Sequence, residues 1–160
     1  MQNQKITPFL WYDDNAEEAV NLYVSIFKNS RINHISRYGA AGPGAAGTVM
    51  TIDFELEGRR FIALNGGPHY QFTEAVSLFV DCETQEEVDQ LTEKLLAGGG
   101  EQGPCAWLKD KFGLSWQIVP SILPELLTDP DPAKSNRAME AMLKMTKIDI
   151  AALKKAHEGE

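Results

Sequence analysis

ITPFLWYDDNAEEAVNLYVSIF, residues 6–27, and VSLFVDCETQEEVDQLTEKLLAGGG, residues 76–100, say one thing twice. Each is a short apolar stretch, an acidic cluster and an amphipathic run, and further short apolar segments follow. In the first copy Ala16, Ala19, Val20, Tyr23 and Phe27 fall on one helical stripe, with Glu17, Glu18 and Asn21 opposite. In the second, Val88, Leu91, Leu95 and Leu96 form the stripe. Asp14 precedes Glu17, and Thr84 precedes Glu87, by the three residues of a capping box. Asn29-Ser30 ends the first helix, and Gly98-Gly99-Gly100 is predicted to end the second as a left-handed cap.

The rest of the chain fits short strands. Ile6–Tyr12 reads as a strand buried on both faces, and Arg31–Tyr38 as a second. Gly39–Gly47 (GAAGPGAAG) is a breaker-rich loop, after which Thr48–Leu56 and Arg60–Leu64 pair around Glu57-Gly58. Ala75–Cys82, Glu101–Gln102, Ala106–Lys109 and Ser115–Val119 repeat the series, with Lys109–Lys111 and Phe112-Gly113 at a solvated hairpin tip. The pattern predicts an α+β fold of two tandem β-α-β-β-β modules, residues 1–68 and 69–120, sharing one sheet system. Residues 121–160 turn helical: Asp131-Pro132 starts a helix lined by Ala138, Met139, Met142 and Met145. Asp149 caps a last one carrying Ile150 and Leu153. This extension is expected to pack on its own domain or on a partner subunit.

A net charge of −8 over 160 residues, without a basic cluster, argues against nucleic acid or an anionic membrane as partner. No apolar run approaches the roughly 20 residues of a membrane span, and the first residues lack the zones of a secretory signal. Cys82 and Cys105 are too far apart for a metal knuckle and are expected as reduced thiols in a cytoplasmic protein.

FLWYDDNAEEAVNLYVSIFKNS, ALNGGPHYQFTEAVSLFVDCETQEEVDQL and WLKDKFGLSWQIVPSILPELLTDPDP resemble the PhnB-like subgroup of the vicinal oxygen chelate superfamily. That superfamily includes glyoxalase I, extradiol dioxygenases and bleomycin-resistance proteins. The subgroup often carries the label 3-demethylubiquinone-9 3-methyltransferase. The resemblance covers nearly the whole chain, with Ala106 where the subgroup would have Gly. It implies paired modules whose mixed sheets curl around a cleft, and commonly a homodimer.

Metal-using members of that superfamily hold an ion with four inward-facing His, Glu or Gln side chains. On the resemblance these positions fall at Pro8, Ala63, Ala75 and Gln117. One amide among four cannot hold a divalent ion, so no metal and no cofactor are expected. For the methyltransferase label, neither GAAGPGAAG, between strands, nor GGG, after a helix, has the strand–Gly turn–helix context of a nucleotide site. His34 and His157 read as structural or frayed; His69, between Pro68 and Tyr70, is either a hinge residue or a ligand contact. Cys105 has no neighbouring His and reads as a small hydrophobe.

What remains is a pocket. Counted by twos from the positions that the resemblance aligns, Leu10, Tyr12, Ala63, Asn65, Ser77, Phe79, Ser115 and Gln117 are expected to line it, joined by Trp107 and His69. Trp11 and Trp116, of opposite parity, are expected under the helices. Such a wall suits a small organic ligand that is partly aromatic or amphipathic, although the same residues would also fill a closed core. Three functions stay open: a metal-independent binding protein, an enzyme such as the labelled methyltransferase, or a structural dimer with plugged clefts.

Overall fold

In the computed structural model, residues 4–160 are described; residues 1–3, the start of the module expected over 1–68, lie outside them. Two compact units follow one another, the first ending at Phe72 and the second running from Thr73 to Glu160. The first comprises β1 (Phe9–Tyr12), α1 (Ala16–Ile26), β2 (Arg31–Arg37), β3 (Val49–Leu56) and β4 (Arg59–Asn65). Its sheet has the order β1-β4-β3-β2, with β1 parallel to β4 and the other pairs antiparallel. The second comprises β5 (Ser77–Cys82), α2 (Gln85–Leu96), β6 (Glu101–Gln102), β7 (Trp107–Lys109) and β8 (Ser115–Pro120), in the order β5-β8-β7-β6. Tandem β-α-β-β-β modules are thus present, each with its own four-stranded mixed sheet; no strand pairing joins the two sheets among the described residues.

Local chemistry explains most boundaries. Thr84 Oγ1 accepts the Glu87 N–H at 3.1 Å, and Glu87 Oε2 accepts the Glu83 N–H at 2.8 Å, so the expected box starts α2. Gly98 and Gly99 end it at φ 80° and 124°. Glu57 and Gly58, both at positive φ, make the tight turn between β3 and β4. The first helix departs from expectation. No side chain caps it from Asn15, and Asp14 is not its cap. Instead Asn65, from the end of β4, accepts the Ala16 N–H at 2.8 Å.

Alternation fixes the core of each unit. In the first, Leu10, Tyr12, Ile52, Phe54 and Ala63 are buried with Ala16, Ala19, Val20 and Tyr23 of α1. The Tyr12 hydroxyl lies 3.3 Å from that of Tyr23. β1 is not buried on both faces, because Phe9 is 56 % exposed. In the second, Cys82, Leu108, Trp116 and Ile118 are buried with Val88, Leu91 and Leu95 of α2.

Three helices close the second unit: α3 (Ile122–Leu127), α4 (Pro132–Met142) and α5 (Ile150–Glu158). Asp131 and Asp149 cap α4 and α5 through the N–H groups of Ala133 and Ala152. Ala138, Ile148 and Leu153 bury themselves with Ala106, Val119 and Leu123, with Met142 and Met145 packed against them. Met139 faces outward instead, 40 % exposed. The helical extension therefore packs on its own unit. It also grips the loop before β7, since the Met145 and Thr146 carbonyls accept the Cys105 and Ala106 N–H groups at 2.9 and 2.8 Å. Among the described residues no helix is long and apolar enough to cross a membrane.

Candidate functional site

Each sheet packs one face on its own helix, and the opposite face is where a ligand has room. In the first unit this corrects the parity expected for Leu10, Tyr12 and Ala63, which lie buried on the helix side. The outward residues are Phe9, Trp11, Ile62 and Leu64. Trp11, expected beneath a helix, donates from Nε1 to the Gly67 carbonyl at 2.8 Å and meets Tyr70 edge-on at 4.9 Å. A Cβ at Gly66 would stand 2.4 Å from its indole, so only glycine fits there. The reason for the inversion is register. Inward residues Leu10 and Tyr12 correspond to inward residues Leu78 and Val80, an even offset, whereas matching Leu10 with Ser77 crosses faces.

Asn65 and His69 border a cavity of about 820 Å³ between the Gly39–Gly47 loop and the start of α1. Two of its central polar side chains, Asn65 and Tyr38, are engaged. Asn65 Nδ2 donates to the Val49 carbonyl at 3.2 Å while its oxygen caps α1. The Tyr38 hydroxyl donates to the Asn65 carbonyl at 2.5 Å. The loop folds around the Tyr38 ring, which a Cβ at Gly44 would strike at 2.4 Å. His69 itself is exposed.

In the second unit the expected parity matches the observed faces. Ser77, Phe79, Trp107, Ser115 and Gln117 all lie opposite α2, in the cross-strand rows Ser77–Ser115–Lys109 and Phe79–Gln117–Trp107. Trp107 and Ser115 meet in a pocket of about 360 Å³, walled also by Gly103, Pro104 and Leu108 and rimmed by Glu74, Glu101, Gln102 and Lys109. Ser77, Phe79 and Gln117 lie beside it, with Gln117 Nε2 donating to Ser77 Oγ at 2.9 Å. Ser115 is 1 % exposed, and its hydroxyl is the buried side-chain group without a hydrogen-bond partner among the described residues. An unmade bond of this kind costs roughly 1–3 kcal/mol, which a ligand group can recover. Lys109 Nζ stands 2.7 Å from Glu74 Oε1. That contact holds the Glu74 carboxyl below and the Lys109 amine above their ordinary values.

Of the residues lining this candidate site, sequence pointed to Trp107 and Ser115 alone, and the charged ones, Glu74, Glu101 and Lys109, were missed. The hairpin tip holding Lys109 was expected to be solvated; Asp110 is instead buried, accepting the Phe112 and Leu114 N–H groups and the Trp116 indole N–H at 2.9, 3.1 and 2.9 Å. That fixed turn aims Lys109 at the pocket. A pairing of Glu101 with Lys109 was readable once β6 was drawn against β7. Cys82 is unsuited to act as a nucleophile, since burial pushes its thiol up to about 12.

Among the described residues no three His, Cys, Asp or Glu side chains cluster to hold a metal ion. The outward positions of β1 and β4 are Phe9, Trp11, Arg60, Ile62 and Leu64, none of them a metal donor, so the residues present do not fit a divalent cation there.

Comparison with known proteins identifies the fold. The family described as 3-demethylubiquinone-9 3-methyltransferase matches residues 4–119. The chain belongs to that family. A PhnB protein of this family from Bacillus cereus is 42 % identical, with a TM-score of 0.66 over 74 % of this chain and all of the other. Protein PA1353 from Pseudomonas aeruginosa is 18 % identical, with a TM-score of 0.58 over 71 % and 95 % of the two chains. FosX, a fosfomycin resistance protein from Listeria monocytogenes whose structure holds Mn(II) and sulfate, is also 18 % identical, at 0.51 over 72 % and 90 %. A search of the curated proteins finds no match. The PhnB-like membership expected from sequence is thereby shown, and the likeness to the two more distant structures is one of fold alone.

Proposed function

We propose that this 3-demethylubiquinone-9 3-methyltransferase family member binds a small organic molecule without a metal, and that the ligand seats against Trp107 and Ser115. The observation carrying this reading is the buried, unpartnered Ser115 hydroxyl in an apolar pocket whose indole wall is only partly buried. A core evolved only for packing would place an apolar residue there. A homodimer is part of the proposal: Phe9, Tyr70, Val76 and Phe79 are each more than half exposed, which suits burial against a second copy. Both cysteines are free thiols, which suits the reducing cytoplasm.

The test is calorimetry of the purified protein against small aromatic compounds, repeated with Trp107→Leu and Ser115→Ala. Trp107→Leu should weaken any hit by about 10-fold or more, the loss typical of a buried aromatic anchor. Hits insensitive to both changes would move the ligand site elsewhere. The methyl transfer in the family's description forms a second reading. The Gly-rich segments sit between β2 and β3 and after α2, outside the context a nucleotide cofactor uses. Measurable heat on titrating S-adenosylmethionine would nevertheless promote it over binding alone.

A further inference from the structure

We infer that the second unit's pocket selects a small aromatic ligand with a protonated amine at one end and a hydrogen-bonding group at the other; this rests on reading that pocket as the ligand site. Register places Ser115, Lys109 and Glu101 side by side on β8, β7 and β6. With neighbouring strands about 4.8 Å apart, the backbone positions of Ser115 and Glu101 stand about 10 Å from each other. At the inner end waits the unpartnered Ser115 hydroxyl. At the outer end Glu101 is exposed and makes no ion pair among the described residues. Between them Lys109 is matched by Glu74 at 2.7 Å, so the two charges offset each other.

The charges lining the pocket are therefore Glu74 and Glu101 against Lys109, leaving one negative charge uncompensated. An incoming carboxylate would meet two carboxylates and have to take Lys109 from Glu74. A protonated amine meets the one charge left over, and the face of Trp107 attracts cations as well. That backbone separation of about 10 Å suits a phenol carrying a short aminoalkyl chain.

Three probes share a ring and differ in charge: tyramine, 4-ethylphenol and 4-hydroxyphenylacetate. Calorimetry on the full chain at low salt should rank them in that order, with tyramine about 10-fold tighter than the acid. Glu101→Gln, on an exposed edge strand, should keep the urea midpoint and shrink that gap to about 3-fold or less, near the value for one screened charge. Ser115→Ala should weaken all three alike. Equal binding, tightest binding by the acid, or a gap unchanged in Glu101→Gln would overturn the amine assignment while leaving the pocket a ligand site. Binding by none of the three would remove the pocket reading and this inference together.

Discussion

Asn65 ends β4, yet its amide organises the start of α1. Its oxygen takes the Ala16 N–H and its nitrogen serves the Val49 carbonyl. Forty-nine residues separate donor and cap, so local spacing pointed to Asp14 instead. Asn65→Ala leaves both backbone groups short of a partner and should cost about 1–2 kcal/mol. The urea midpoint would fall with an unchanged slope; an unchanged midpoint would mean that Asn15 takes over the cap. Ala106 poses the opposite case. It holds φ 74° beside Cys105 at 52°, pinned by the Thr146 and Met145 carbonyls. The left-handed conformation costs an L-residue roughly 1–2 kcal/mol, against roughly 0.5–1 kcal/mol of chain entropy for glycine. Ala106→Gly should therefore stabilise the protein by about 0.5 kcal/mol, read from the same urea transition. A loss of stability would show that the loop's strain is not stored at this residue. The Gly expected at this position from the family resemblance has its physical reason here.

At the scale of elements, helix starts with local caps were legible: Thr84, Asp131 and Asp149 all act as their spacing predicts. Strand existence was legible too, because alternation is a local property. Which face each strand presents was not, since one residue of register inverts it, and the first unit's Leu10, Tyr12 and Ala63 went to the helix side. The end of the last helix departs from expectation. His157 is not frayed but 6 % exposed, with Nε2 2.9 Å from Asp129 and Nδ1 3.0 Å from Glu158. Arg137 donates to the Ala156 and His157 carbonyls that end α5. Lys147 pairs with Asp89 of α2 at 2.7 Å. Three carboxyls of this layer sit below their ordinary range. Asp129 is held there first by the Asp131 N–H and then by His157, Glu158 first by Lys134, and Asp89 first by Lys147. Depressed carboxyls contribute stability above their ordinary values and lose it as pH falls through the lowered ones. The α5 layer should thus loosen as pH drops below about 4. Hydrogen exchange of α5 amides, corrected for intrinsic rates, should accelerate between pH 6 and pH 3 more than that of β8. Equal change in both would mean that α5 is held by its apolar contacts alone.

For the whole molecule, the tandem repeat was visible because each unit restates the same strand–helix grammar, and the family match over residues 4–119 follows from that span. The candidate site was half visible. Trp107 and Ser115 followed from parity on β7 and β8, whereas Glu74 and Lys109 depend on a turn folding back onto a strand. The choice between metal and metal-free chemistry now rests on better-placed residues than Pro8 and Ala63. Register puts Phe9, Trp11, Ile62 and Leu64 on the outward positions of β1 and β4, where none offers a strong donor, and the β3 carboxylates on the same face, Asp53 and Glu55, are paired with Arg60 and Arg31. Ser77 and Gln117 on the second are already bonded to each other. A specific site occupied by manganese or zinc at a hundredfold excess over its Kd would stabilise the fold by about 2.7 kcal/mol. For a chain of this size that is a rise in Tm of roughly 5–10 °C. Dialysis against a chelator, followed by manganese or zinc, should leave Tm and ligand affinity where they were. A rise of that size, abolished by chelator and restored by the ion, would return metal chemistry to this chain through donors other than the outward residues of β1 and β4.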